Sequence, residues 1–273
     1  MLRKLLKHEF RATGRVMLPV IAILLATSVG ANLSMRYLMD SHTWFLSLLG
    51  ILLMVAFVLA IIGVFIVAFI LMIQRFYKNL LQDEGYVMLT LPVSIHQHIW
   101  SKLIVSSVWF ILTTLAVILA SCIVAFNIAF IKDLFQGFGV LFRELREVRP
   151  VYAFNGAAFL VELAALLFLG LVAICLQFYA ALAAGHSFPN HKMVLSVAWF
   201  FGLQFAFQFL SVSALELLDQ LNFFALFDHL YFSVHGMTAI HLGILFMIVL
   251  TVIYGGIFYI ITTLFMKRRL NLE

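Results

Sequence analysis

Six long stretches of mainly apolar residues constrain this chain more than any other feature of its sequence. A helix needs about 20 apolar residues to cross the hydrocarbon core of a bilayer, which is about 30 Å thick. Helices also satisfy their own backbone hydrogen bonds, as lipid requires. The sequence therefore predicts an all-α integral membrane protein. The predicted spans are residues 16–37, 44–73, 102–131, 157–184, 193–214 and 239–266.

The composition agrees with this fold class and excludes an ordinary soluble domain. Hydrophobic residues make up 65% of the 273 residues and charged residues 11%, whereas soluble domains average about 45–50% and about 25%. The net charge of +5 is explained by basic loops at one membrane face, so it is not a nucleic-acid signal. No internal repeat or linker stands out, and we interpret residues 1–273 as one transmembrane domain.

Residues 1–15 predict a basic amphipathic helix on the membrane surface, because Lys and Arg side chains alternate with apolar ones at helical spacing. Glu9 falls in the middle of the apolar face. Two interpretations of Glu9 remain open. It either pairs locally, with Arg11 or Lys7, or forms a salt bridge to a basic residue of the later segment Gln74–Lys102.

The distribution of Lys and Arg predicts that both termini lie in the cytosol. One face of the membrane receives 12 basic side chains and the other receives 5, and cytosolic loops carry the excess. The outer loop 132–156 has mixed charges and is typical of a solvated helical turn. The outer loop 215–238 has apolar runs too short to span, which predicts a re-entrant or interfacial helical hairpin.

The segment Gln74–Lys102 is the longest interruption on the predicted cytosolic face. Its first part predicts an amphipathic helix over 75–84 that ends at Gly85, where a left-handed residue is favoured. Ser94 and Gln97 have the spacing of a capping box and predict the start of a helix that enters the membrane.

Between these elements lies Tyr86–Val93, an uncharged apolar run that should be shielded from water. It packs either against the chain's own helices or against a soluble partner. The motifs Glu84-Gly85, Leu91-Pro92-Val93-Ser94 and Ser101-Lys102 resemble the loop after the second membrane helix of bacterial ABC-2-type permeases. That resemblance favours a partner.

The resemblance implies an ABC-2 (type V exporter-like) architecture in a bacterial plasma membrane, with an N-terminal elbow helix that contains Glu9 and Arg11. It implies two permease copies, or one copy and a paralogue, above separate ATPase subunits that bind ATP and Mg²⁺. It also implies that the cytosolic loop carries a coupling helix that docks on the ATPase. The candidate coupling residues are Phe76, Leu80, Asp83, Glu84, Gly85, Tyr86, Met88, Leu91 and Pro92.

Polar side chains inside the spans are further candidates, because their burial in lipid is unfavourable. Gln204 and Gln208 are four residues apart in the fifth span, and Ser211 extends the same face. They either form hydrogen bonds between helices or line a pathway. The resemblance implies the second role, opposite Phe57 and Phe65 of a second copy.

The sequence lacks the motifs of several enzyme classes. No Gly-Lys pair occurs, so the chain has no Walker A motif, and no His-Glu-x-x-His motif occurs. We expect no enzymatic activity and no metal site; the nine histidines are expected to form hydrogen bonds near the interfaces. Cys122 and Cys175 are expected to be core residues at different depths, without a disulfide between them.

These patterns predict the permease subunit of an ATP-driven ABC exporter. The 29 phenylalanines suggest an amphipathic or hydrophobic substrate, such as a peptide antibiotic, a lipid-like molecule or a drug. Export of an antibiotic or a drug would give antimicrobial resistance. One alternative is a secondary transporter or channel without an ATPase, for which Glu162 in the fourth span could couple protons. Another is a membrane sensor or accessory subunit that transports nothing.

Overall fold

The computed structural model describes residues 2–39, 43–82, 85, 90, 92–126, 132–133, 135–140, 143–144, 156–188, 190–225 and 236–268. Within these ranges the chain is helical and has no β-strand. Six helices are long and apolar enough to span a membrane, which confirms the prediction of a multi-pass helical membrane protein. They are α1 (Leu2–Leu33), α2 (Trp44–Leu81), α3 (Ile95–Val124), α4 (Gly156–Gly185), α5 (Lys192–Gln220) and α6 (Gly236–Arg268).

Helix α1 runs without a break through the basic N-terminal segment and the first predicted span. Pro19 lies inside it and removes one backbone donor, yet the helix continues. A short π-helix, Ser34–Leu38, follows directly. The segment predicted as a separate surface helix is thus the first part of a longer one, and its position on the membrane surface remains a prediction.

Helix α3 begins at Ile95, whereas the predicted third span begins at 102. It ends at Val124, whereas the predicted span ends at 131. Ser94 caps its start: the Ser94 Oγ accepts a hydrogen bond from the Gln97 N–H at 3.3 Å, as the sequence spacing predicted. At its other end the Asn32 side-chain amide of α1 donates to the carbonyls of Ile123 and Val124, both at 2.9 Å. Carbonyls in the last turn have no donor four residues further along the helix, so Asn32 stabilises the helix end.

The chain divides into two compact units, residues 1–80 with 89–136 and residues 81–88 with 137–273. In the first unit α1, α2 and α3 share one apolar core, because each contributes small or branched side chains at helical spacing. The buried members of this core are Met17, Leu24, Ala31, Phe57, Val64, Ala68, Val105, Trp109 and Ala120. The interpretation of the whole chain as a single domain remains a prediction.

In the second unit α4 packs against both α5 and α6. Small residues allow these close approaches, as is common between membrane helices. A β-carbon on Gly255 of α6 would lie 3.6 Å from the Ala173 β-carbon of α4, an ordinary contact. At the end of α4, a β-carbon on Gly185 would overlap Ser196 of α5. Glycine is therefore required at position 185.

The structure corrects the predicted end of the helix before Gly85. Residues 75–81 are the last part of α2, which ends at Leu81 rather than at Gly85. The Gly85 N–H donates to the Gln82 carbonyl at 2.6 Å. The left-handed conformation of Gly85 remains a prediction.

Other predictions are corrected or lie outside the described residues. Helix α5 extends to Gln220 rather than ending at the predicted 214, so residues 215–220 belong to the fifth helix, and residues 226–235 of the predicted hairpin are outside the described part. Both cysteines are free thiols. Cys175 is buried as predicted, but Cys122 is exposed, because it lies on the outward surface of α3 rather than in the core.

Candidate functional site

A buried ion pair joins the N-terminal part of α1 to α3. The Lys102 ammonium group donates to Glu9 Oε1, and the two side chains are only 2% and 6% exposed. The Asn79 side-chain amide of α2 donates to the same carboxylate oxygen at 3.3 Å. All three helices of the first unit therefore meet at Glu9. Of the two interpretations of Glu9, the structure shows the salt bridge to the Gln74–Lys102 segment.

A second layer of hydrogen bonds supports the pair. Trp109 donates from its indole N–H to Thr13 Oγ1 at 2.7 Å, and the Thr13 hydroxyl donates to the Glu9 carbonyl at 2.8 Å. Gly14 lies beside the indole ring, where a β-carbon would be 3.6 Å from it. These contacts fix the turn of α1 that holds the Glu9 carboxylate.

A cavity of about 10 Å³ lies beside the pair, with Arg75, Ser106 and Trp109 among its lining residues. This is about the volume that one water molecule needs, and its lining includes charged and hydroxyl groups that could bind one. The cavity also has apolar lining residues, among them Met17 and Leu71. A charge pair in such a place is held by mutual attraction and hydrogen bonds, and loss of one partner leaves the other charge uncompensated.

The sequence-predicted coupling residues fall into two groups. Phe76 and Leu80 are fully buried, Gly85 is buried and Pro92 is exposed. The chain itself therefore covers the apolar face of the end of α2. The remaining candidates lie outside the described residues, so what covers the uncharged run is still open. These are Asp83, Glu84, Tyr86, Met88 and Leu91.

Gln204 belongs to a hydrogen-bond chain across all three helices of the second unit. Gln177 of α4 donates to Gln204 Oε1 of α5 at 2.6 Å, and the Tyr254 hydroxyl of α6 donates to Gln177 Oε1 at 2.8 Å. For Gln204 this is the interhelical role that the sequence left open. Sequence analysis missed Gln177, although it is a lone amide inside an apolar span.

The other predicted pathway residues do not share one environment. Gln208 is exposed and forms no hydrogen bond to any residue that the structure describes. The Ser211 hydroxyl donates to the Phe207 carbonyl at 2.8 Å. Phe57 is 7% exposed and packs in the first unit's core, whereas Phe65 is 37% exposed. Their role as a pathway lining remains a prediction.

An apolar groove lies between α4, α5 and α6, with a cavity volume of about 630 Å³. Its walls include Gly170 of α4, Ser211 and Ala214 of α5, and Leu250 and Tyr254 of α6. Sequence analysis singled out only Ser211. The others carry no polar pattern that distinguishes them from lipid-facing residues, so a groove of this kind becomes visible only when the helices are packed.

Glu162 and His241 form a second, partly buried polar pair. His241 Nδ1 lies 2.7 Å from Glu162 Oε2, and the side chains are 15% and 17% exposed. The Phe159 ring contacts His241 edge-on, with ring centres 6.5 Å apart. The pair joins the second turns of α4 and α6.

His186 forms hydrogen bonds just beyond the end of α4. Its Nδ1 lies 2.9 Å from the Leu182 carbonyl and 3.4 Å from Ser196 Oγ. Burial lowers the pKa of His186 below its ordinary value of 6.5, the hydrogen bond to Leu182 opposes this shift, and the positive charge of Lys192 adds to it. Among the described residues no cluster of histidine, cysteine and carboxylate side chains could hold a metal ion.

Comparisons with protein-family models, curated proteins and solved structures find no match to this chain.

Proposed function

We propose that this chain is the membrane permease subunit of an ATP-driven ABC exporter. The observation that carries the proposal is the buried pair of Glu9 and Lys102. Lys102 belongs to the Ser101-Lys102 motif, one of the three by which the segment Gln74–Lys102 resembles the coupling loop of ABC-2-type permeases. Glu9 lies in the segment that corresponds to their elbow helix.

The pair supplies a mechanical link that such a permease needs. A push on the loop before α3 would move Lys102, because Ser94 caps that helix only two turns earlier. The buried pair and the Asn79 hydrogen bond would pass this movement to α1 and α2. Buried charge pairs resist separation, since an unpaired charge in this place is strongly unfavourable. The three helices would thus move as one body, as rigid-body switching requires.

ATP hydrolysis would take place on a separate subunit, because this sequence has no Walker A motif. Two copies, or one copy and a paralogue, would form the pathway in the plasma membrane of a bacterial cell. Closure of two ATPases beneath them would switch the pathway between inward-open and outward-open states. The phenylalanine-rich spans favour an amphipathic or hydrophobic substrate.

Co-purification with an ATPase tests this proposal. A tagged chain, isolated from its own cells in mild detergent, should bring down an ATPase whose hydrolysis rises when a substrate is added. Leu91→Asp and Glu84→Ala should abolish this stimulation while the chain still inserts and folds. Glu144→Ala, which removes a carboxylate from the predicted outer loop, serves as the control and should leave stimulation intact. If no ATPase co-purifies, or if both loop variants couple normally, the proposal fails.

A second candidate function is a proton-coupled transporter, favoured by the pair of Glu162 and His241. An ionisable pair within membrane helices is a common element of proton relays. Reconstitution of the chain alone into vesicles distinguishes the two functions. Uptake driven by a pH gradient without ATP, and lost in Glu162→Gln, would support this candidate and contradict the exporter.

A further inference from the structure

We propose that the groove between α4, α5 and α6 is a lipid site that holds one acyl chain of a membrane phospholipid. This inference does not depend on the permease function. It follows from the polarity, the length and the two ends of the groove, which has a volume of about 630 Å³.

The groove offers no free hydroxyl proton to a polar ligand. The Ser211 hydroxyl donates to the Phe207 carbonyl, and the Thr251 hydroxyl donates to the Met247 carbonyl, both at 2.8 Å. The third wall hydroxyl, on Tyr254, donates to Gln177 at 2.8 Å. The other lining residues are apolar or glycine. A ligand head group would lose its hydrogen bonds there, whereas a hydrocarbon chain loses nothing.

The length of the groove matches one leaflet of a bilayer. On α5 the wall runs from Phe207 to Leu218, and on α6 from Phe246 to Ile257. Each wall is about 16 Å long by helical rise, close to half of a hydrocarbon core about 30 Å thick. Phe207 and Tyr254 lie near the midpoints of their membrane spans. The α6 wall continues to Ile257, three residues beyond Tyr254, so the groove covers one leaflet and passes the bilayer centre by about 4.5 Å.

Aromatic contacts lie near the bilayer centre and near the far end of the groove. Phe207 and Tyr254 pack edge-to-face near the centre, with ring centres 4.2 Å apart. Towards the far end the ring centres of Phe223 and Phe246 are 5.9 Å apart. A helix from a second copy would be about 10 Å wide and would cross both leaflets. A groove that lies mainly in one leaflet suits the tail of a lipid from that leaflet.

The site would select its occupant by shape. An acyl chain gains no hydrophobic free energy when it leaves other chains for a groove that is equally apolar. What remains is the close contact of methylene groups with the walls on three sides, where many small dispersion attractions add up. We therefore expect a chain that is held longer than ordinary boundary lipid.

Photo-crosslinking with a diazirine on the acyl chain of phosphatidylcholine tests the proposal directly. The full chain is placed in lipid nanodiscs that contain this lipid, irradiated, and mapped by mass spectrometry. Groove positions Ala214 and Leu250 should be labelled at least about fivefold more than Phe205 and Phe209, which are 70% and 73% exposed outside the groove. Equal labelling of all exposed positions would overturn the proposal.

A pair of glycine variants sharpens the test. Gly170 lines the groove and Gly202 does not, and at both positions an added β-carbon meets nothing within 4 Å. Gly170→Phe should reduce labelling of Ala214 about fivefold or more, and Gly202→Phe should leave it unchanged. If Gly170→Phe folds and labelling persists, the groove is not the site; if it does not fold, the labelling ratio in the unmodified chain decides.

The alternative occupant, a helix of a second copy, has its own readout. A photoreactive amino acid placed at position 214 should crosslink to lipid. Crosslinking mainly to a second copy of the chain would contradict the lipid site.

Discussion

Gly185 at the end of α4 and Ser196 in α5 approach so closely that a β-carbon on Gly185 would overlap both the Ser196 backbone and its hydroxyl group. Gly185→Ala must therefore push α5 away, and overpacking of this kind typically costs about 1–3 kcal/mol. We expect a clear loss of thermal stability in detergent. Gly202→Ala is the matched control, because its β-carbon meets nothing within 4 Å. Equal stability of the two variants would show that the helix ends are less tightly packed.

The pair of Glu9 and Lys102 is predicted to behave as one unit. Glu9→Gln leaves the buried Lys102 charge without its partner, which should cost about 3–5 kcal/mol. Glu9→Gln combined with Lys102→Met removes both charges and should recover most of that loss. A double-mutant cycle on unfolding in detergent measures the interaction. Additive effects of the two changes would mean that the carboxylate and the ammonium group do not stabilise each other.

The sequence predicted those features that depend on local patterns. Six apolar stretches predicted six membrane helices, and the spacing of Ser94 and Gln97 predicted a helix start. Glu9 stood out because a carboxylate on an apolar helix face needs a partner, and one of its two possible partnerships is the one observed.

Features that depend on packing could not be predicted in the same way. The bond from Gln177 to Gln204 and the pairing of His241 with Glu162 join residues that lie 27 and 79 positions apart. No periodicity indicates which polar groups will meet across helices. The end of α2 at Leu81 was missed because the nearest glycine that could mark a helix end is Gly85.

Membrane topology provides the third prediction. In a variant without Cys122 and Cys175, single cysteines at positions 96 and 192 should resist an impermeant thiol reagent in intact cells. A cysteine at position 143 should react, since the 12-to-5 distribution of basic residues places that loop outside. Permeabilised cells control for accessibility. Labelling of position 96 in intact cells would reverse the proposed orientation.

His186 should make stability depend on pH. Its pKa is lowered in the folded protein by burial and by the charge of Lys192, so folding favours the neutral ring. This contribution is complete above pH 6.5, the ordinary pKa, and is lost as the pH falls from there towards the lowered pKa. Unfolding measured from pH 7.5 to 5 should show the loss, and His186→Gln should reduce it. The exposed His8, changed to Gln, is the matched control for the substitution itself.

Substitutions of the two glutamines of α5 should differ in their effects on stability and on transport. Gln204→Ala removes the acceptor for Gln177, and loss of an interhelical hydrogen bond in a membrane costs about 0.6 kcal/mol on average and up to about 1.7. Gln208 is exposed and bonded to no described residue, so Gln208→Ala should leave the stability of the isolated chain unchanged. If Gln208 lines the pathway, the same change should alter export or substrate preference per folded molecule. Unchanged export with Gln208→Ala, or equal destabilisation by both variants, would remove these glutamines from the proposed pathway.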